Sequence, residues 1–220
     1  MTNRENPLAS LNVIGGRLCL DFVNTVDTHD TYIDEKLAAY ADLVWWALHV
    51  GVLDDAAAAP VFAAAEADPA HAAEVFAHAV ELREALYRLF AAARAGKAGA
   101  DADVRVLNDA LARTMGRVRV ERTEDEYAWG WEGGTALERM LWPVVRDAAE
   151  LLVGGELRRV GMCRGDNCDW LYLDTSRNRS RRWCDMQTCG NRAKARRHYH
   201  RAKGGGNEEP YPATGTIKSF

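Results

Sequence analysis

Apolar positions recur at helical spacing through most of the first 155 residues. In the stretch from 35 to 50, Leu37, Tyr40, Leu43, Val44 and Ala47 share one helical face, and Gly51 supplies a stop. Asp54-Asp55 opens an alanine-rich segment that ends near Asp68-Pro69. From Ala70 to Arg94, Val75, Phe76, Ala79, Leu82, Leu86, Leu89 and Phe90 mark the apolar stripe of a long amphipathic helix. A loop at Gly96–Gly99 precedes a further helix, with Asp101 as its expected cap and Val104, Leu107, Ala110 and Leu111 as its inner face. The period then changes to two. Val118 and Val120 alternate with arginines and, beyond the acidic turn Glu124-Asp125-Glu126, Tyr127, Trp129 and Trp131 alternate in turn, which predicts a β-hairpin. Thr135 is expected to open the next helix, running to Val153 and kinked at Pro143. Past Gly154-Gly155 the runs Leu157–Met162 and Trp170–Asp174 predict short strands, and the Gly-rich residues 204–220 predict an extended tail.

The pattern gives an α+β chain. Residues 1–155 form a mainly helical domain with one hairpin, and residues 156–203 form a small module of short strands and one helix. Charge sharpens that division. The 220 residues carry a formal net charge of −4, yet Arg158 to Lys203 alone hold 11 Arg and 2 Lys against 4 Asp, a net of +9 that leaves −13 for the rest. An acidic body bearing a basic module points to a polyanionic partner for the module, or to docking of the module on the body. No apolar run is long enough to cross a membrane, and the first residues lack a secretory signal, so a reducing cytoplasm is the expected compartment.

Four of the five cysteines lie in that basic segment, at Cys163, Cys168, Cys184 and Cys189. Two C-x4-C pairs separated by fifteen residues suit a tetrahedral metal, each pair on one tight turn. In a reducing compartment metal ligation outweighs disulfides. One structural Zn2+ per chain is the natural occupant, because four thiolates close its shell. An iron–sulfur cluster is the alternative, and His198 and His200 are reserve ligands.

The stretch "WLYLDTSRNRSRRWCDMQTCGNRAKARRHY" closely resembles the CGNR zinc finger, whose naming tetrapeptide stands here as Cys189-Gly190-Asn191-Arg192. Upstream, "GGRLCLDFVNT" and "YADLVWWALHVGVL" resemble the ABATE domain that commonly precedes this finger. The resemblance implies a bacterial stress-induced transcription regulator, with DNA bound by the finger and a small ligand bound by the N-terminal domain.

The residues support the first role on their own terms. Gly190 is expected to allow a turn after a ligand cysteine, Asn191 to cap a helix, and Ala193–Arg197 to propagate it. Lys194, Arg197, His198 and Arg201 would share one side of this helix, with Arg192, Arg196 and Tyr199 on a neighbouring stripe. The loop "SRNRSRR" adds Arg177, Arg179, Arg181 and Arg182. Such a cationic helix on a rigid knuckle can enter a major groove or lie along phosphates, and it suits RNA as well as DNA. Trp170, Tyr172 and Trp183 are the expected mini-core of the module.

At the N-terminal end a helix is expected from Leu18 onward, with Asp21, Asn24, Thr25 and Thr28 on one face. That polar face can line a ligand pocket or form a buried hydrogen-bond network. Cys19 is expected in the core, and one of the adjacent Trp45 and Trp46 at a surface or pocket. No nucleophile elbow, phosphate-binding loop or dinucleotide fingerprint is present, so catalysis is not expected.

Overall fold

The computed structural model describes residues 6–31 and 34–202. The expected tail at 204–220 lies outside them, as does Lys203.

Seven α-helices are described: α1 (Leu18–Val23), α2 (Tyr40–His49), α3 (Asp55–Ala67), α4 (Pro69–Arg94), α5 (Asp101–Met115), α6 (Leu141–Val153) and α7 (Asn191–Ala202). Two antiparallel hairpins join them, β1 (Val118–Arg122) with β2 (Tyr127–Trp131) and β3 (Val160–Met162) with β4 (Leu171–Leu173). In the first, Val120 faces Trp129 and Val118 faces Trp131; in the second, Gly161 faces Tyr172. The fold class is the α+β expected. No described helix is long and apolar enough to cross a membrane.

The 26-residue helix α4 is the spine, packed against α1, α2, α3, α5, α6 and β3. Local chemistry fixes its start: Asp68 accepts from the His71 N–H at 3.0 Å, and Pro69 takes the first helical position, where a missing N–H costs nothing. Asp54 caps α3 in the same way through Ala57 N at 2.7 Å. Beside α4 lies α1, short and buried along nearly its whole length, with Cys19, Leu20, Phe22 and Val23 fully inside. Trp46 is fully buried against Phe22, while the partly exposed Trp45 packs on Phe62.

Several boundaries differ from the sequence reading for identifiable reasons. Helix α2 begins at Tyr40, not residue 35, because the Asp42 carboxylate accepts from the N–H groups of Ala38 and Ala39 and so marks its first turn. Asp101 stands inside α5, with Ala100 in the cap position. Residues from Thr135 to Met140 are turns, and α6 begins at Leu141. That puts Pro143 in the first turn, where its absent N–H has no intrahelical acceptor to lose, so the expected kink has no cause. Leu157–Arg159 form a single 3₁₀ turn before β3, and β4 is confined to Leu171–Leu173.

The second hairpin is not a separate unit in its packing. Val160, Leu171 and Leu173 belong to the main core, while Cys163, Trp170, Tyr172, Cys184 and Cys189 form a small second cluster.

Candidate metal centre and cationic face

Each cysteine pair is placed by its own turn. Cys163 follows β3 and Cys168 precedes β4; the Cys163 N–H bonds to Trp170 O at 2.8 Å and extends the ladder to the first ligand. Asn167 adopts the left-handed φ of 53° that closes this knuckle. Gly165 presses against the sulfurs: a Cβ there would stand 3.0 Å from Cys189 Sγ and 3.4 Å from Cys163 Sγ. Its N–H donates to Cys163 Sγ at 3.3 Å, a bond that favours the thiolate. In the second pair Cys184 precedes, and Cys189 lies within, a π-turn, Met186–Gly190, capped by Asp185, whose carboxylate accepts from the N–H groups of Gln187 and Thr188. A bond from Arg164 N to Arg182 O ties the two turns together.

The four sulfurs lie within 4.8 Å of one another. Cys168 to Cys184 measures 3.7 Å and Cys184 to Cys189 3.5 Å. Disulfides need about 2.05 Å, whereas a tetrahedral shell with Zn–S of about 2.3 Å has sulfur edges near 3.8 Å. Hydrogen bonding from Cys168 and Cys184 pulls the Cys163 thiol well below the usual range, and hydrogen bonding to Cys163 pushes Cys168 and Cys184 up. A divalent cation resolves this by accepting all four thiolates. The donor set, its spacing and its burial fit one structural zinc ion held by Cys163, Cys168, Cys184 and Cys189. His198 and His200 are instead exposed on α7.

Helix α7 runs on directly from the π-turn. The start of the helical segment is therefore one turn earlier than the sequence suggests: Asp185 is its cap, and Asn191, already helical, donates its side-chain N–H to Gln187 O at 3.1 Å. Gly190 makes no left-handed turn. A Cβ there would meet Met186 Sδ at 2.5 Å and Trp183 Cδ1 at 3.2 Å, so the residue is small to let these side chains close over the knuckle.

Arg192, Lys194, Arg196, Arg197, His198 and Arg201 are all exposed. Arg196 pairs with Asp166 on the first knuckle. In the preceding loop Arg177, Arg179 and Arg182 are exposed, the loop being held by buried Asp174, which accepts from Ser176 N at 2.9 Å and Arg181 N at 3.0 Å. Arg181 departs from its expected role. Its guanidinium stacks over Tyr172 at 4.3 Å and donates inward to Trp183 O at 3.1 Å, Ile14 O at 3.1 Å and Cys184 O, which leaves it no free edge for a phosphate. Trp170 and Tyr172 are buried in the mini-core, with Trp183 packed against it.

The N-terminal polar residues meet this module from the other side. Asn24, 2% exposed, spans the open edge of β4: its amide donates to Leu171 O and its oxygen accepts from Leu171 N, both at 2.8 Å. Gly15 O accepts from Leu173 N at 2.7 Å, and Val26 O from Trp170 Nε1 at 2.8 Å. Thr25 donates to Phe22 O at 2.8 Å and accepts from Arg83 at 3.2 Å. Asp21 accepts from Gly15 N at 2.7 Å; burial pushes its carboxyl up to about 6, against the pull of backbone N–H groups from Gly15 and Ile14. These three residues all have hydrogen-bond partners within the protein.

Sequence reasoning missed the ionic cluster beneath them. Arg83, fully buried, holds Glu35 through two bonds of 2.7 and 2.6 Å and Glu84 at 2.9 Å. Glu84 also bonds His29 Nδ1 at 2.7 Å, and His29 stacks on Tyr87 at 3.6 Å. Tyr87 OH and the His29 N–H both donate to Asp169, beside the ligand Cys168, at 3.1 and 3.0 Å. The available signal was Arg83 itself, a charge inside the apolar stripe between Ala79 and Leu86.

Two family models match the chain. The ABATE model, described as "Putative stress-induced transcription regulator", covers residues 16–155, and the CGNR zinc finger covers 159–202. The chain belongs to the ABATE family. No curated protein matches it. The CGNR match spans both knuckles and α7, and the ABATE match spans α1 to α6 with the first hairpin.

Proposed function

We propose that this ABATE-family protein is a cytoplasmic, non-enzymatic transcription regulator that grips duplex DNA with α7 and the loop at 176–182. The observation that carries this reading is the exposure of the whole cationic side of α7, while the module is anchored to the body by its opposite, buried side. The module thus serves as clasp and reader on different faces. Arg177, Arg179 and Arg182 of the loop and Arg192, Arg196, Arg197 and Arg201 of α7 are left uncovered by the acidic body. A four-thiolate shell has no open coordination position, so the metal acts by fixing α7 rather than by activating water. The zinc knuckles and the Asp185 cap set the direction of the helix, and Arg177, Arg179 and Arg182 supply flanking phosphate contacts.

The family description points to stress-induced control, and an effector bound by the body fits this reading. The body has a physical line to the reader. Asp147 on α6 accepts from Arg17 Nε at 2.8 Å and Cys19 N at 2.9 Å at the head of α1, and Asn24 at its foot holds β4.

Selection of bound sequences from random duplex-DNA and RNA pools, run in parallel on the full chain, tests the reading. Enrichment of a duplex-DNA motif that is lost with Arg197→Ala supports it. Enrichment from the RNA pool alone makes the chain an RNA-binding protein. Enrichment from neither leaves the module a clasp.

A further inference from the structure

A cavity of about 370 Å³ opens between α4, α5 and α6, away from the metal centre. Its floor is apolar: Val75, Leu82, Leu141, Trp142 and Val145, all buried. Its rim carries Glu81, Asp109 and Glu138 against Arg113, with His71 and His78 two turns apart on α4. With neutral histidines the lining has a net charge of −2.

Several acids of the body are paired inside the fold, whereas others, Glu66 and Asp101 among them, enter no ion pair among the described residues. Asp147 is paired with Arg17, Glu35 and Glu84 with Arg83, and Asp103 with Arg88. Among the described residues Glu81, Asp109 and Glu138 enter no ion pair or side-chain hydrogen bond, and neither does Arg113. Three carboxylates against one arginine give the mouth of this apolar cavity a negative potential that favours a cation. The volume lies in the range of small-molecule sites, and apolar walls with a few charged groups at the mouth are what orient a ligand.

We propose that this cavity binds a small amphipathic organic cation, an amine or quaternary ammonium carried on an aromatic or branched apolar body. The apolar part lies on Leu82, Val145 and Trp142, and the cationic head faces the acidic rim. An anionic ligand of the same shape would meet three like charges and one arginine, and a neutral one would leave the carboxylates uncompensated. The inference supplies an effector class for the control suggested above, and it does not depend on DNA binding.

Calorimetric titration of the full zinc-loaded chain at pH 8, without DNA, tests it with three probes of similar shape: tryptamine, tryptophol and indole-3-propionate. Tryptamine is expected to bind at least tenfold more tightly than the other two. A triple replacement of the rim carboxylates, Glu81→Gln with Asp109→Asn and Glu138→Gln, is expected to remove that preference without changing the far-ultraviolet circular dichroism. Ala110→Phe, which fills the cavity, should abolish tryptamine binding. Equal binding of the three probes, preference for indole-3-propionate, a tryptamine affinity unchanged in the rim variant, or no binding of tryptamine at 1 mM overturns the proposal. Because no nucleic acid is present, each of these outcomes leaves the DNA-binding reading untouched.

Discussion

Replacing Asn24 by alanine probes the joint between body and zinc module at its narrowest point. The amide of Asn24 makes two bonds of 2.8 Å to the backbone of Leu171, whose N–H and C=O face away from β3 and have this side chain as their partner. Both sides are buried, Asn24 at 2% exposure and Leu171 at 0%. Water cannot take over the lost bonds without opening the core. Leaving a buried donor and a buried acceptor unsatisfied costs about 1–3 kcal/mol each, so the variant should lose about 2–6 kcal/mol. For a chain of this size that corresponds to a fall in Tm of about 4–24 °C. Asn24→Asp is the sharper control. It keeps an acceptor for Leu171 N–H but points a charged oxygen at Leu171 O, so it should cost at least as much as alanine. Because β4 leads out of the first knuckle, both variants should also release zinc faster to a colorimetric chelator. Urea unfolding followed by circular dichroism, with zinc release in parallel, measures both effects. A loss below about 0.5 kcal/mol, the level of an ordinary surface substitution, would refute the view that this side chain completes the edge of β4.

Further outcomes follow from other sites. Gly161→Ala would bring a Cβ within 2.4 Å of the buried Tyr172 ring, which is itself held by its bond to Arg181 O, so overpacking should cost about 1–3 kcal/mol on chemical denaturation. Replacing Cys184 with serine should lower zinc content well below one per chain by elemental analysis and expose the module to protease, since metal binding supplies much of the folding energy of so small a unit. The raised carboxyl of Asp21 binds its proton more tightly folded than unfolded, so its contribution to stability is present at low pH and is lost as pH rises from about 4 through 6. The stability of Asp21→Asn relative to the native chain should therefore improve between pH 5 and pH 7, and a difference that is flat or moves the other way contradicts the assignment. Arg181→Ala should destabilise the module and speed zinc release, whereas Arg197→Ala should leave zinc and Tm unchanged and weaken DNA binding alone.

The parts of this molecule that were legible in the sequence are those governed by local chemistry. Asp54 was readable as the start of a segment because a capping carboxylate needs only its own next turn, whereas Asp68 read as the end of that segment and is in fact the cap of α4; the two cysteine pairs were readable because each knuckle is a turn of a few residues. The β1–β2 hairpin follows from alternation alone. What failed needed longer-range information. Pro143 reads as a kink only if the helix begins at Thr135, and nothing local distinguishes the turns at 135–140 from a helical start. Gly190 reads as a turn residue, yet its smallness serves Met186 and Trp183, which converge on it through the fold of the knuckle. Arg181 is indistinguishable from Arg179 and Arg182 in a basic loop; only the approach of Tyr172 and Ile14 turns it inward. The polar residues Asp21, Asn24 and Thr25 were visible as a group, but their partners lie up to 147 residues away.

The salt dependence of duplex-DNA binding by the full zinc-loaded chain is the most direct test of the claim that α7 and its flanking loop form a nucleic-acid surface. Excluding Arg181, the exposed cations are Arg177, Arg179, Arg182, Arg192, Lys194, Arg196, Arg197 and Arg201. One face of a duplex engages about half of these at once, so four to five phosphates neutralised should give a slope of log K against log salt of about −4. Charge reversal by Arg197→Glu should make that slope shallower by about one or more while zinc content stays at one per chain. A slope near zero, or an Arg197→Glu protein that binds as the native chain does, would contradict the account.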